Sequence, residues 1–268
     1  MVKVGLQEFP PLLFTGLRYL LVAFPAVLWI PRGHLSWRWI LGLGSLYTGF
    51  SLCTILGIVQ GMPAGLSSLV MQSQALFTLV LSAWVLNDRP THQQLLGVGI
   101  SLGGIGLLAW QSLAQAQLGG LGLILLAAIF WAMANIGLKL GPKVNSVQLM
   151  VWVATVIPWP LFWLSWRFET GQWQALAHLT PWGWGALLYC GLISNLLSYS
   201  LWGHLLHRYS ANVVAPFSLL APISGLFFAG ILLGESFRSR EAIGSILVFS
   251  GLILVTLPKI DQWFSHET

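Results

Sequence analysis

A polytopic bundle of membrane-spanning α-helices, all-α in class, is the fold predicted here, and three observations predict it. Only 7% of the 268 residues are charged while 56% are hydrophobic, and the mean hydropathy is +0.80. A soluble domain usually carries about a quarter charged residues to solvate its surface, so lipid must be the solvent for most of this one. A chain facing lipid must satisfy its backbone within helices or a closed barrel. Apolar runs of roughly twenty residues, separated by very short connections, select helices.

In chain order, windows of membrane length predict nine spans, near 10–30, 37–59, 63–86, 92–111, 119–140, 146–167, 181–203, 211–234 and 240–257. Connections such as Asn87-Asp88-Arg89-Pro90 and Gly141-Pro142-Lys143 leave no room for a soluble domain and make successive helices antiparallel neighbours. Gly33, Pro90, Gly141-Pro142 and Pro181 mark the turns.

The chain repeats itself. A constant offset of 147 pairs Ala64 with Ala211, Leu79 with Leu226, Leu86 with Leu233, Gly97 with Gly244 and Gly104 with Gly251. The same offset aligns the turn acids Asp88 and Glu235. Upstream, Pro25 pairs with Pro158, and the first residues lie opposite Asn135 to Leu140, at the end of a helix that is complete in the second half. The expectation is a first repeat over 1–111 that begins inside its first helix, a second over 119–257, and a short cytoplasmic tail at 258–268. Intact, the design has five helices per half; five being odd, the second half is inverted, as in secondary transporters. If the loop after 10–30 is cytoplasmic, Arg32, Arg38, Arg89, Lys139, Lys143, Arg208 and Lys259 share that side, against Lys3, Arg167, Arg238 and Arg240 opposite. That bias agrees with the positive-inside rule.

Several classes drop out. The net charge of +5 is scattered singly or in pairs between apolar runs, which argues against nucleic acid. Cys53 and Cys190 sit inside apolar runs as small packing residues, and they form no disulfide framework. His204 and His207 have ligand-like spacing but no third ligand. No metal, cofactor or cleavable signal peptide is expected, and paired acids or metal clusters at depth, which a membrane enzyme needs, are missing.

Polar residues inside spans are costly, so they mark candidate sites. Arg18 is the one charge clearly within a span; it reads as a carboxylate-binding group, or structurally as an arginine that snorkels or bonds carbonyls. Gln72 and Gln74 need partners in hydrocarbon and lie roughly 200° apart on a continuous helix, so one at most faces a cavity squarely. Their repeat mate is the stretch around Ser218, flanked by Pro216 and Pro222. Tyr47, Thr48 and Ser51 on one helix, Trp131 and Asn135 on another, and Asn195, Ser198 and Tyr199 on a third complete the inward candidates. No Asp or Glu lies in mid-span, so coupling through a protonatable membrane carboxylate is not supported; exchange, facilitated efflux or coupling through another group stays open. Gly99-x-x-x-Gly103 predicts close helix packing or a homodimer.

The segments Phe9-Pro10-Pro11-Leu12, Gly16-Leu17-Arg18-Tyr19, Leu21-Val22-Ala23-Phe24-Pro25, Gly61-Met62-Pro63-Ala64-Gly65-Leu66 and Gln72-Ser73-Gln74-Ala75 resemble the EamA-type transporters of the drug/metabolite transporter superfamily. Trp131/Asn135/Lys139, Trp202/Arg208-Tyr209 and Ala215-Pro216-Phe217-Ser218-Leu219-Leu220 carry the resemblance into the second half. Within the superfamily, the O-acetylserine/cysteine exporters look most similar. The resemblance implies ten helices in two inverted repeats around a central cavity, and export of small amino-acid metabolites across the inner membrane. The Trp-Gly-x-Asn type segment that such proteins carry in their first helix does not occur here. A non-transporting scaffold or an inactive truncated form is the alternative expectation.

Overall fold

The computed structural model describes residues 2–87, 90–114, 118–142, 144–198, 201 and 239–256. These are helical, with no strand among the described residues. The elements are α1 (Val2–Glu8), α2 (Pro11–Ala23), α3 (Trp37–Val59), α4 (Ala64–Met71), α5 (Gln74–Val85), α6 (His92–Ala114) and α7 (Leu118–Leu140). After them come α8 (Ser146–Ala154), α9 (Pro158–Phe168), α10 (Gln172–Ala177), α11 (Pro181–Leu188), a π-helix over Tyr189–Leu197, and α12 (Ser239–Thr256). Pro11–Leu28, Trp37–Val59, Ala64–Val85, Leu118–Leu140 and Ser146–Phe168 are each long and apolar enough to cross a membrane, and Ala242–Val255 is a shorter apolar helix. The expected span at 211–234 lies outside the described residues.

Local chemistry sets the helix starts. Pro11, Pro158 and Pro181 open their helices in the first turn, where a missing N–H costs nothing. Asn145 caps α8 by accepting from Val147 N at 2.8 Å, and Thr180 caps α11 by accepting from Gly183 N at 3.1 Å. Thr91 and Gln94 form a reciprocal capping box at the start of α6.

Three expected spans are interrupted rather than continuous. Phe24 turns extended ahead of Pro25 and ends α2, and a 3₁₀ turn at Ala26–Leu28 follows. The second-half counterpart breaks between α8 and α9, ahead of Pro158. Between α4 and α5 the chain tightens into i→i+3 bonds, from Gln72 N to Leu69 O and from Ser73 N to Val70 O, both 3.0 Å. A 3₁₀ turn advances about 120° per residue rather than about 100°, so the angle expected between Gln72 and Gln74 on an unbroken helix does not hold.

The chain divides into two compact units, Met1–Ile55 with Gly137–His207, and Leu56–Ile136 with Arg208–Thr268. In the first, a core of Phe9, Leu13, Phe14, Ala186, Leu187 and Cys190 joins α2 to α11 and the π-helix. The broken stretches Pro11–Leu28 and Ser146–Phe168 run antiparallel there. Glu169, just past α9, meets the start of α2, while Gln148 and Trp152 of α8 donate to the Pro31 and Ile30 carbonyls at 2.7 and 3.0 Å.

In the second unit, Leu66, Leu69, Ile105, Ile124, Val248 and Leu252 form the heart of the core, and α6 packs against α12. A Cβ on Gly97 would stand 2.6 Å from the Gly251 carbonyl oxygen, and one on Gly104 would stand 2.7 Å from that of Gly244. Between these contacts, Ser101 Oγ donates to Val248 O at 3.3 Å. The helices are therefore antiparallel, and adding or subtracting 147 converts each contact into the other. Close packing was expected from Gly99 and Gly103; instead both are exposed with open space around them, and Gly97 and Gly104 make the approach. The close approach to α12 is thus made by a glycine pair seven residues apart, on a different face from Gly99 and Gly103.

Candidate functional site

Each unit carries its own set of polar side chains at membrane depth. In the first, α2 presents Arg18 and Tyr19. The Tyr19 and Ser51 hydroxyls share a hydrogen bond of 2.8 Å, joining α2 to α3, and both residues are buried. Tyr47 lies one turn before Ser51 on the same face of α3 and is also buried. Thr48 turns back on its own helix, donating to Gly44 O at 2.8 Å, which spends its one donor within α3.

Arg18 is half-buried, with its guanidinium carbon 5.3 Å from the centre of the Tyr19 ring. Its Nε is fully enclosed and has no hydrogen-bond partner among the described residues. The carbonyl-bonding role that a structural arginine would have is therefore not taken up by this N–H. The π-helix packs beside it: a Cβ at Gly191 would lie 2.9 Å from the Arg18 carbonyl oxygen. One turn on, Asn195 is buried with its Nδ2 unpartnered among the described residues. Buried donors without acceptors cost on the order of 1–3 kcal/mol each, and π-helical segments recur at functional sites. The coincidence of the two marks this wall of the unit.

In the second unit, Asn135 on α7 donates through Nδ2 to Gln74 Oε1 at 3.1 Å and to Thr78 Oγ1 at 3.3 Å on α5. Trp131 stands one turn before Asn135 on α7. Gln72 closes α4 at the tightened turn, and Ser73 beside it is buried with an unpartnered hydroxyl. Tyr199 and Ser218, also predicted, lie outside the described residues, as do Asp88, His204, His207, Pro216, Pro222 and Glu235. Sequence reasoning passed over Tyr19 and Thr78. Thr78 was within reach, because it follows Gln74 by four residues and so shares its helix face. Nothing in the sequence pointed from Tyr19 to Ser51.

A sequence profile of the EamA-like transporter family matches residues 1–110 and 118–257. The chain belongs to the EamA-like transporter family. It is a multi-pass inner-membrane transporter, not an enzyme. A protein of Salmonella typhimurium strain LT2 described as a probable amino-acid metabolite efflux pump is 37% identical, over 94% of this chain and 88% of that one. One of the same description from Escherichia coli K12 is 36% identical over the same shares. The uncharacterized inner membrane transporter YedA of Escherichia coli K12 is 24% identical over 96% of this chain and 85% of its own length. A crystal structure with a TM-score of 0.67 and 18% identity covers 96% of this chain and 97% of its own, so the EamA transporter shares its fold.

Proposed function

We propose that this transporter exports a small amino-acid metabolite, of the kind of cysteine or O-acetylserine, by alternating access built on two inverted five-helix repeats. The observation that carries the reading is Arg18, a cation within a spanning helix whose enclosed Nε has no partner among the described residues. A guanidinium is a fork of donors matched to a carboxylate, and every amino-acid metabolite of this class offers one. The relatives described as amino-acid metabolite efflux pumps support the same substrate class. In the first unit, Tyr47, Ser51 and Asn195 supply neutral polar groups around that charge, with Tyr199 expected to join them. In the second, Gln72, Gln74, Trp131 and Asn135, with Ser218, form that unit's own proposed polar set.

Two antiparallel helix pairs, one in each unit, support the inverted arrangement, because each pair joins a helix to its repeat mate. The 1–111 and 119–257 repeats are proposed on that basis.

The test is counterflow of labelled cysteine and O-acetylserine in proteoliposomes holding the purified transporter. Saturable exchange of either, competed by the other and lost in Arg18→Gln, is expected. Absence of flux for both would remove the substrate assignment.

A further inference from the structure

The second broken stretch grips the first at a point that its own sequence cannot cap. Helix α2 opens on Pro10-Pro11, and neither proline carries an N–H. Of the first-turn donors, Phe14 N reaches Pro10 O at 2.9 Å, and the orphans are Leu12 and Leu13. Both go to one carboxylate: Leu12 N to Glu169 Oε1 at 2.7 Å and Leu13 N to Glu169 Oε2 at 3.1 Å. The cap comes from 157 and 156 positions away along the chain.

Glu169 is itself held. Its N–H donates to Ser165 O at 2.8 Å, and Gln172 Nε2 bridges the carbonyls of Ser165 and Glu169 at 2.8 and 2.9 Å. One turn deeper, Gly16 of α2 lies against the Phe162 ring of α9, where a Cβ would sit 2.7 Å from a ring carbon. Leu12 and Gly16 lie four residues apart, so both grips act on one face of α2. Together they fix the helix along its axis and about it. Arg18 follows Leu12 by six residues, about 9 Å along the axis at 1.5 Å per residue.

We infer that Glu169 is a positioning residue for transport, setting through α2 the place at which Arg18 meets the substrate carboxylate. This rests on the reading of Arg18 given above. A carboxylate suits the task because its two oxygens take two parallel N–H groups, whereas a carboxamide offers one acceptor oxygen and sets an N–H₂ against the other donor. The tie also borders an open cavity of about 580 Å³ lined by residues 6–11, 168–171, Gln174 and Ala175. Water that enters there can solvate a donor released by substitution, so the variant is expected to fold.

The experiment measures labelled O-acetylserine or cysteine counterflow against substrate concentration for the parent, Glu169→Gln, Arg18→Lys and the double variant, with the melting temperature of each in detergent. Glu169→Gln is expected to raise the half-saturation concentration by about three- to tenfold, the worth of about one ordinary hydrogen bond, with the maximal rate within about twofold of the parent. In the Arg18→Lys background that rise shrinks, because the group being positioned has already been replaced. A Glu169→Gln protein that keeps its half-saturation concentration, or loses only maximal rate and melting temperature, overturns the inference and leaves a purely structural tie. If Arg18→Lys transports as the parent does, the Arg18 reading falls and this inference with it. If Arg18→Lys is impaired and Glu169→Gln is not, only the inference falls.

Discussion

In the second unit Asn135 spends its amide hydrogens on Gln74 and Thr78, whereas in the first Arg18 and Asn195 each enclose an N–H without a partner among the described residues. The residues are of similar type, and each set lies on apolar helices, yet the two sets bear different energetic loads. A satisfied amide pair between two helices stabilises their packing, at an average of about 0.6 kcal/mol in membrane proteins. An enclosed donor without an acceptor is a cost that persists where something else supplies the acceptor. The second unit does leave the Ser67 and Ser73 hydroxyls unpartnered; these are single hydroxyls on its own helices α4 and the turn after it, not a charge. The difference divides the candidates into groups that hold helices together and groups that wait for a ligand.

The largest expected effect tests the frame in which the second set sits. At Gly104 a Cβ would meet the Gly244 carbonyl oxygen at 2.7 Å and the Val248 backbone nitrogen at 2.8 Å, and backbone atoms cannot rotate aside. Gly104→Leu is expected to cost ~3 kcal/mol or more, seen as loss of the monodisperse peak in detergent chromatography. Gly103→Leu, at the exposed position next to it, is expected to behave as the parent. Equal behaviour of the two would mean that α6 does not pack against α12 as described.

Next in size is Arg18→Gln. Losing a charge-assisted contact to a carboxylate is expected to lower transport about a hundredfold, equivalent to ~3 kcal/mol, while the melting temperature holds or rises because an unpaired buried donor has gone. Counterflow and thermal melting on the same preparation check both. A melting temperature that falls in step with transport would return Arg18 to a structural role and erase the contrast between the units.

Legibility in the sequence followed the length scale of the signal. Helix-length apolar runs dictate spans, because lipid admits no other backbone solution, and the described helices follow the expected ranges closely. Interruptions were harder to read. Pro25 and Pro158 were visible as repeat mates, but the tightened turn at Gln72-Ser73 has no proline to announce it. The glycine motif was readable in composition and not in orientation, since Gly97 and Gly104 share a face that only the α12 partner reveals. Glu169 was invisible as a cap, because no local rule connects it to Leu12 across 157 positions. For the polar candidates, residue type carried no information about partners such as Thr78 for Asn135 or Ser51 for Tyr19.

Smaller again is Asn195→Leu, a near-isosteric change that removes the unpartnered Nδ2. Replacing an unsatisfied buried amide by an apolar group of the same shape is close to neutral for stability. Transport is expected to fall about fivefold, the weight of one neutral hydrogen bond of ~1 kcal/mol, read as a rise in the half-saturation concentration for counterflow. A clear drop in melting temperature with unchanged transport would place Asn195 with the helix-holding group.

The finest division comes from a double-mutant cycle on Gln74 and Asn135. Gln74→Leu leaves the Asn135 amide only its longer bond to Thr78, and Asn135→Leu strands Gln74 Oε1, so each single change should destabilise more than its share of the pair. Replacing both should recover part of the loss, with a coupling energy of about 0.6 kcal/mol and at most ~1.7 kcal/mol, measured by equilibrium unfolding in mixed micelles. Thr78→Val supplies the internal control: it deletes the weaker acceptor at 3.3 Å and should shift the coupling by only a fraction of that value. Zero coupling would mean that the amide pair is held apart in the bilayer. Its groups would then be as free for substrate as those of the first unit, and the contrast would fail from the opposite side.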